Sequence, residues 1–477
     1  VEAVHDAIRQ KLEEFGQEHV LRFWDELDAG GRASLTAQLE GIDFPLVQRL
    51  VDTWGADSPP PEPFETIEPV EVIPLPSTDD PAALEALDAG ETALRAGRVG
   101  LVLVAGGQGT RLGFAGPKGS FPISGVTGRT LFEFHADKIH NLQNRYGQTL
   151  PWYIMVGESN EAATKEFFRE KAYFGLNEAD VIFFKQAMMP CVSGDGKFVL
   201  EAPDRLAMNP NGHGGCIPGL VESGIAADAR GRRIDTLSYF QVDNWAANIA
   251  DPYFIGYHLL RGGDMSSKIA AKTGPREAVG VHCVCDGVSQ VVEYTELDIY
   301  PTLLDTGAQG ELIYPAGNTA IHVISVDFVE SVYDAFEDFP WHCSHKKIPC
   351  IDDAGARIDP AEPNGYKFET FVFDSLRYIT HPPVALEIDR TTEYTPTKSM
   401  TGVDSVEQAQ NLMTAMWSGW LEAAGCAVPR ANDGAAVIDI EINPRFALDR
   451  TEFLEKTQGW DWPNKGRILI GPDGALD

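Results

Sequence analysis

The 477-residue chain has no apolar run approaching the length of a bilayer span, and it opens with Glu2, His5 and Asp6 rather than a basic segment followed by an apolar one. Neither a membrane-spanning nor an exported protein is indicated, and a cytoplasmic setting is expected. Positive charge is scarce: 38 Lys and Arg face 71 Asp and Glu, a net charge of −33 with no basic run. Such a surface repels polynucleotides, so neither nucleic acid nor membrane is expected as a partner. The seven cysteines are dispersed and odd in number, unlike a small secreted disulfide scaffold, and free thiols are expected. Also missing is a Gly-x-Ser-x-Gly elbow after a strand, which removes the Ser/His/Asp hydrolases. His282, Cys283 and Cys285, and then His342, Cys343 and His345, lack the usual zinc-ligand spacing. Cys283 and Cys285 alternate in an expected strand and fit core packing instead. No repeat or low-complexity tract is present, and nothing specifies an oligomeric state.

What is present is concentrated after the apolar run Leu101 to Val104. There the chain reads Ala105-Gly106-Gly107-Gln108-Gly109-Thr110-Arg111-Leu112-Gly113, followed by Pro117-Lys118. A buried strand emptying into small residues leaves backbone N–H groups free to converge on an anion, and Arg111 and Lys118 add positive charge. This pattern suits nucleotide phosphates. It is not a P-loop, because Pro117 rather than glycine precedes Lys118. Nor is it the dinucleotide fingerprint, since Leu112 stands where the third glycine belongs and Gly113 comes one position late. A nicotinamide-dependent oxidoreductase using Gly107, Gly109 and Gly113 remains the distant rival.

The rest of the chain reads as α/β. Residues 1–53 carry apolar positions at helical spacing, with a break expected at Gly30-Gly31. Pro59, Pro60, Pro61 and Pro63 form an extended connector, and a helix starts at Pro81, capped by Asp80, and ends near Gly97. Thereafter helices near Phe132–Gln143 and Glu161–Tyr173 alternate with strands Trp152–Val156 and Val181–Phe184, which implies a parallel sheet flanked by helices. A further helix follows Ile217, a strand runs from Thr236 to Val242, and a hairpin turns at Asp286-Gly287 within Val279–Tyr294. A helix from Ser405 to Ala424 stops at Gly425, before a strand Val437–Ile442. The expected partition is 1–97 as a helical N-terminal region and connector, 98–400 as the main domain and 401–477 as a small C-terminal α/β domain.

Two further sites stand out. Asp243 follows the apolar stretch Tyr239–Val242, at the carboxyl edge where open α/β sheets bind ligands, and one carboxylate plus phosphate oxygens suits Mg²⁺. Met208-Asn209-Pro210-Asn211-Gly212-His213-Gly214-Gly215-Cys216 is a second small-residue loop before a helix. His213 projects from it, either toward a ligand or as a solvated turn residue.

These residues resemble the eukaryotic-type UDP-N-acetylglucosamine pyrophosphorylases, within the UDP-sugar pyrophosphorylases. The resemblance spans nearly the whole chain: Gly16-Gln17-Glu18-His19-Val20-Leu21-Arg22-Phe23-Trp24, the glycine loop, Phe174-Gly175-Leu176, Gln241-Val242-Asp243-Asn244, Gln290-Val291-Val292-Glu293-Tyr294, Ala316-Gly317-Asn318 and Lys367 to Asp374. It implies a Rossmann-like nucleotidyltransferase fold, with a central mixed, mostly parallel sheet. It also implies reversible transfer from UTP to N-acetylglucosamine 1-phosphate, giving UDP-N-acetylglucosamine and pyrophosphate. By the same resemblance Arg111, Lys118 and Lys398 are catalytic, and Gly106, Gly107, Gly109, Thr110, Gln186 and Gly212 bind the nucleotide. His213, Gly280, Glu293, Tyr294, Asn318, Phe371 and Phe373 bind the sugar phosphate, with the phenylalanines around the N-acetyl group, and Asp243 holds Mg²⁺. The partners are UTP and a sugar 1-phosphate. Gly212-His213-Gly214-Gly215 stands where N-acetylhexosamine enzymes usually read Gly-Asn-Gly-Gly, and it is similar to the Gly-His-Gly of UDP-glucose pyrophosphorylases. Glucose 1-phosphate, or a broader range of sugars, is therefore the alternative substrate. A nucleotide-sugar-binding regulator without turnover would not need Arg111, Lys118, Asp243 and Lys398 together.

Overall fold

The computed structural model describes residues 2–54, 63–463 and 466–477. Two compact units emerge from the packing, neither contiguous in sequence. One comprises Val1–Pro63, Gln186–Cys216 and Glu337–Asp374; the other comprises Phe64–Lys185, Ile217–Phe336 and Ser375–Asp477. This grouping follows long-range contacts rather than the linear boundaries at 97/98 and 400/401.

The larger unit is built on an eleven-stranded sheet. Its strands are β1 (Ile67–Pro69), β2 (Val72–Ile73), β3 (Val99–Val104), β4 (Trp152–Val156), β5 (Val181–Lys185), β6 (Thr236–Gln241), β7 (Met265–Ala271), β8 (Val281–Cys285), β9 (Val288–Val292), β10 (Ala316–Ser325) and β11 (Ala385–Glu387). The main path runs β2-β11-β7-β10-β6-β3-β4-β5, while β1, β8 and β9 branch from β10 through β8. Every pair on the main path is parallel except the two that β10 makes, with β6 and β7. The sheet is therefore mixed and mostly parallel, as the α/β alternation requires. Strands β3 and β4 are almost wholly buried, which is why they read as continuous apolar runs rather than alternating ones.

Local signals set the flanking elements. The Pro81–Arg95 helix has Asp80 as its N-cap, accepting from Ala82 N at 3.0 Å, and Gly97 follows at φ +68°. Leu131–Tyr146 begins with a capping box between Thr130 and Glu133. The β8–β9 hairpin turns through Asp286 (φ +51°) and Gly287 (φ +79°), both in the left-handed region that a two-residue hairpin turn demands.

The described residues beyond 400 share the core of the larger unit. The Val406–Ala423 helix and the parallel pair Asp439–Ile442/Arg467–Ile470 put Met413, Trp417, Leu421, Ile440 and Phe453 into one cluster with Phe134, Ile139 and Trp245. Two short strands cannot bury both faces alone, so they lean on the sheet's helices. Polar contacts reinforce this. Glu441, almost fully buried, accepts from Ser124, from Thr127 Oγ1 at 2.6 Å and from Arg129 Nε at 2.9 Å.

The smaller unit contains helices Glu2–Glu14, Ala29–Glu40 and Phe44–Trp54, whose Leu12, Leu35, Leu39, Phe44, Val47 and Leu50 pack with Phe198, Leu206 and Phe368. Gly30 and Gly31 do not break the helical region. They lie in the first turn of Ala29–Glu40, where Asp28 accepts from Gly31 N at 2.8 Å and the cap compensates for weak helix formers. The sheet of this unit pairs His342–Lys346 with Gly365–Glu369, which pairs in turn with Val192–Ser193. Of the expected proline connector, Pro59, Pro60 and Pro61 lie outside the described residues.

Candidate active site

In the larger unit the loop after β3 is shaped by backbone bonds. Gly109 N donates to Gly116 O at 2.9 Å, Phe114 N to Gly109 O at 3.1 Å and Lys118 N to Gly107 O at 3.1 Å. The strand's exit thus folds back so that Lys118 comes under Gly107. Gly113 has φ +62°, and a Cβ on Gly109 would meet the Phe114 ring at 2.8 Å, so the turn itself requires those glycines. Gly107 is exposed and has open space where a side chain would project. Asn160 pins the loop from below: fully buried, it donates from Nδ2 to Ala105 O at 2.8 Å and Gly107 O at 3.0 Å. Nothing local in the sequence singles it out. Thr110 and Arg111 are exposed on the short helical turn Thr110–Leu112.

Lys118 Nζ reaches the Asp243 carboxylate at 2.6 Å. Parallel pairing of β3 with β6 brings both strands' carboxyl ends to one edge, which makes residues so distant in sequence neighbours. Burial opposes ionisation of Asp243. The charge and hydrogen bond of Lys118, with the charge of Lys398, outweigh that cost and hold the carboxyl below its usual range.

The Lys398 segment is tied to the same edge. Thr397 N donates to Asp243 O at 3.0 Å. Asn244 accepts from Thr395 N at 3.0 Å and donates to Glu393 O at 2.9 Å. Lys398 itself is exposed and pairs with Asp404 at 2.9 Å. Asn244 lies in the Gln241-Val242-Asp243-Asn244 motif, but its role as a clamp depends on a partner some 150 residues on.

Gly280, Asn318 and Glu293 also come together in this unit. Asn318 N donates to Gly280 O at 2.8 Å, and a Cβ on Gly280 would lie 3.0 Å from Glu293 Oε1. Glu293 opens the short helical turn Tyr294–Glu296, and Tyr294 is exposed.

The remaining residues belong to the smaller unit. Buried Gln186 donates to Gly212 O at 2.6 Å. Gly212 sits at φ +84°, and a Cβ there would run into the Thr370 backbone, so the two segments approach as closely as glycine permits. His213 stacks on Phe371 (5.1 Å, 23°) and meets Phe373 edge-on (5.6 Å). Its Nδ1 accepts from Val372 N at 3.1 Å, which puts the ring proton on Nε2. Desolvation among these rings, with the nearby His342, pushes its pKa down to about 4, so the ring is neutral at pH 7. His213 is thus a structured aromatic-nest residue rather than a solvated turn residue.

The zinc-like clusters are otherwise employed. His282 shares a 2.8 Å hydrogen bond with Ser289, Cys283 and Cys285 are core residues, and His342 pairs with Asp374. Among the described residues no three His, Cys, Asp or Glu side chains gather as a metal-binding group. Asp243 can still fit a hard divalent cation: it is a buried carboxylate held ionised, of the kind Mg²⁺ uses when substrate phosphates supply other oxygens.

A mostly parallel sheet, with a glycine loop and paired lysine and aspartate at its carboxyl edge, defines an α/β nucleotidyltransferase-type enzyme. Residues 65–442 match the family described as UTP–glucose-1-phosphate uridylyltransferase, and the chain belongs to that family. Its relatives include the human UDP-N-acetylhexosamine pyrophosphorylase-like protein 1, 36% identical over 88% of this chain and 85% of that protein. The Saccharomyces cerevisiae UDP-N-acetylglucosamine pyrophosphorylase is 32% identical over 97% of this chain and 99% of its own length. Among solved structures, the uridine diphosphate N-acetylglucosamine pyrophosphorylase of Trypanosoma brucei, crystallised with an inhibitor, superposes with a TM-score of 0.81 at 26% identity, covering 98% of each chain.

Proposed function

We propose that this chain is a UDP-N-acetylglucosamine pyrophosphorylase, with residues 98–400 carrying the chemistry. The observation that carries the reading is the meeting of the glycine loop, Lys118, Asp243 and the Lys398 segment at one sheet edge. The names of the full-length relatives support the sugar.

The attacking group is a phosphate oxygen of N-acetylglucosamine 1-phosphate, already ionised at pH 7 because the second pKa of such a monoester is about 6. It bonds to the α-phosphorus of UTP as the bond to the β-phosphate oxygen breaks, releasing pyrophosphate. No general base is needed. The obstacle is repulsion between two anions, so catalysis rests on in-line positioning and charge neutralisation. Arg111 and Lys118, beside Gly106, Gly107, Gly109 and Thr110, hold the triphosphate and the departing pyrophosphate, while Lys398 stabilises the phosphates flanking the attack. Mg²⁺, when bound at Asp243, would neutralise phosphate charge and orient its oxygens. Gln186 and Gly212 take the uracil. Gly280, Glu293, Tyr294, Asn318 and His213 are assigned to the sugar phosphate, with Phe371 and Phe373 around the N-acetyl group. A cytoplasmic setting belongs to the same reading, supported by seven cysteines that are all free thiols. No helix among the described residues is long and apolar enough to cross a membrane.

The test is pyrophosphate release from UTP with N-acetylglucosamine, N-acetylgalactosamine and glucose 1-phosphates in parallel, with and without Mg²⁺. Preference for N-acetylglucosamine 1-phosphate with an absolute metal requirement is expected. A strong preference for glucose 1-phosphate would overturn the sugar, and NADPH binding without pyrophosphate release would overturn the reaction.

A further inference from the structure

In the smaller unit a closed circuit of contacts surrounds Phe371. Its carbonyl accepts from Asp374 N at 3.0 Å, making a tight turn. The Asp374 carboxylate, buried in that turn, accepts a 2.8 Å hydrogen bond from His342 Nε2. The His342 ring in turn stacks on Phe371 at 4.4 Å and 30°. His342 begins the strand His342–Lys346 and sits opposite Glu369, so the backbone ladder fixes where this imidazole starts. Phe371 also stacks with His213 and packs against Phe373 at 5.2 Å.

We propose that His342, pinned by Asp374, is a positioning residue for the sugar-phosphate half of the reaction: it sets the plane of Phe371 and, through that ring, the place of His213. The inference rests on the assignment of Phe371, Phe373 and His213 to the sugar. Free phenyl and imidazole rings would have to be ordered whenever sugar binds, and that ordering cost would appear as weaker binding. The pin removes it beforehand. A planar side chain fixed at one nitrogen by a buried carboxylate can serve as a rigid backing plate for an aromatic wall, a role that a flexible aliphatic residue cannot fill. The pin bears on the sugar half because the ring it orients is Phe371, which stacks on His342 and His213, whereas the uracil is assigned to Gln186 and the Gly212 backbone, joined by their own 2.6 Å hydrogen bond.

The experiment compares wild type with His342→Leu, which keeps bulk but loses both pin and stack, and His342→Phe, which keeps a stacking ring but loses the pin. Expected is a rise in KM for N-acetylglucosamine 1-phosphate of about tenfold in the leucine variant and about threefold in the phenylalanine variant, with KM for UTP within twofold. Calorimetry should agree, with UDP-N-acetylglucosamine binding weakened in the same order and UDP binding unchanged. A folded leucine variant with both KM values unchanged overturns the proposal, and so does a parallel loss for both substrates that follows a lowered Tm. If the leucine variant does not fold, the phenylalanine variant decides by the same split. Wild-type turnover tests the assigned reaction, whereas the variant-to-wild-type ratios test the pin, so failure of one is distinguishable from failure of the other.

Discussion

The sheet edge of the larger unit and the aromatic nest of the smaller one solve opposite problems. At the edge, Lys118, Asp243 and Lys398 keep formal charges in place through direct pairing, and burial of Asp243 is offset by its neighbours. In the nest, His213 gives up its charge altogether, pushed to a pKa of about 4 among rings and backbone. On the proposed assignment, charge is retained where the phosphates are gathered and removed from the His213 ring beside the sugar. The pairing at the edge also means that Lys118 and Asp243 wait in mutual compensation, so neither stands as an isolated buried charge.

The contrast predicts a hierarchy of effects. On the proposed assignment Lys118→Ala removes a donor that acts as charge develops, and kcat should fall on the order of 10²–10³-fold in pyrophosphate-release assays. A near-normal kcat would erase the electrostatic half of the comparison. Asp243→Asn should raise the Mg²⁺ concentration needed for half-maximal activity at least about tenfold, measured by metal titration; an unchanged requirement would make Asp243 a structural residue. Asn244→Ala orphans the buried Thr395 N–H and frees Glu393 O, so denaturant unfolding should show a loss of about 1–3 kcal/mol, and an unaltered midpoint would remove the clamp.

The smallest effect belongs to the nest. His213 has a folded-state pKa of about 4 against an ordinary 6.5, so as pH falls below 6.5 the unfolded chain takes up a proton that the folded chain refuses. Stability is full above that range and declines towards pH 4. Between pH 7 and pH 5.5 this group should cost about 1 kcal/mol. Buried His135, His258 and His282 are shifted the same way by desolvation and add to the slope. His213→Gln should flatten the slope by its own share in urea titrations at the two pH values, and an identical slope would show that His213 is not held neutral.

What was legible in the chain follows the range of the interactions. The β3 run, the loop glycines, the Asp80 cap and the Asp286-Gly287 turn are local, and residue type alone specifies them. Asp243 could be placed because strand ends in a parallel sheet share an edge. The Asn244–Thr395 clamp, the Asn160 support and the His342–Asp374 pin join segments whose encounter depends on the whole fold, and no spacing announces them. Gly30-Gly31 misled because a break signal and a helix's first turn carry the same residues, and only the Asp28 cap separates them. Beyond residue 400 the contacts are again long-range: Met413, Trp417 and Ile440 share a cluster with Phe134 and Trp245, and Glu441 accepts from Ser124, Thr127 and Arg129, none of which local spacing announces.

A crystal structure with UTP bound tests the central claim most directly. The account predicts the triphosphate against Gly106–Gly109 at the end of β3, with Lys118 Nζ moved from Asp243 onto phosphate oxygen. A triphosphate bound away from that edge, with the Lys118–Asp243 pair undisturbed, would contradict it.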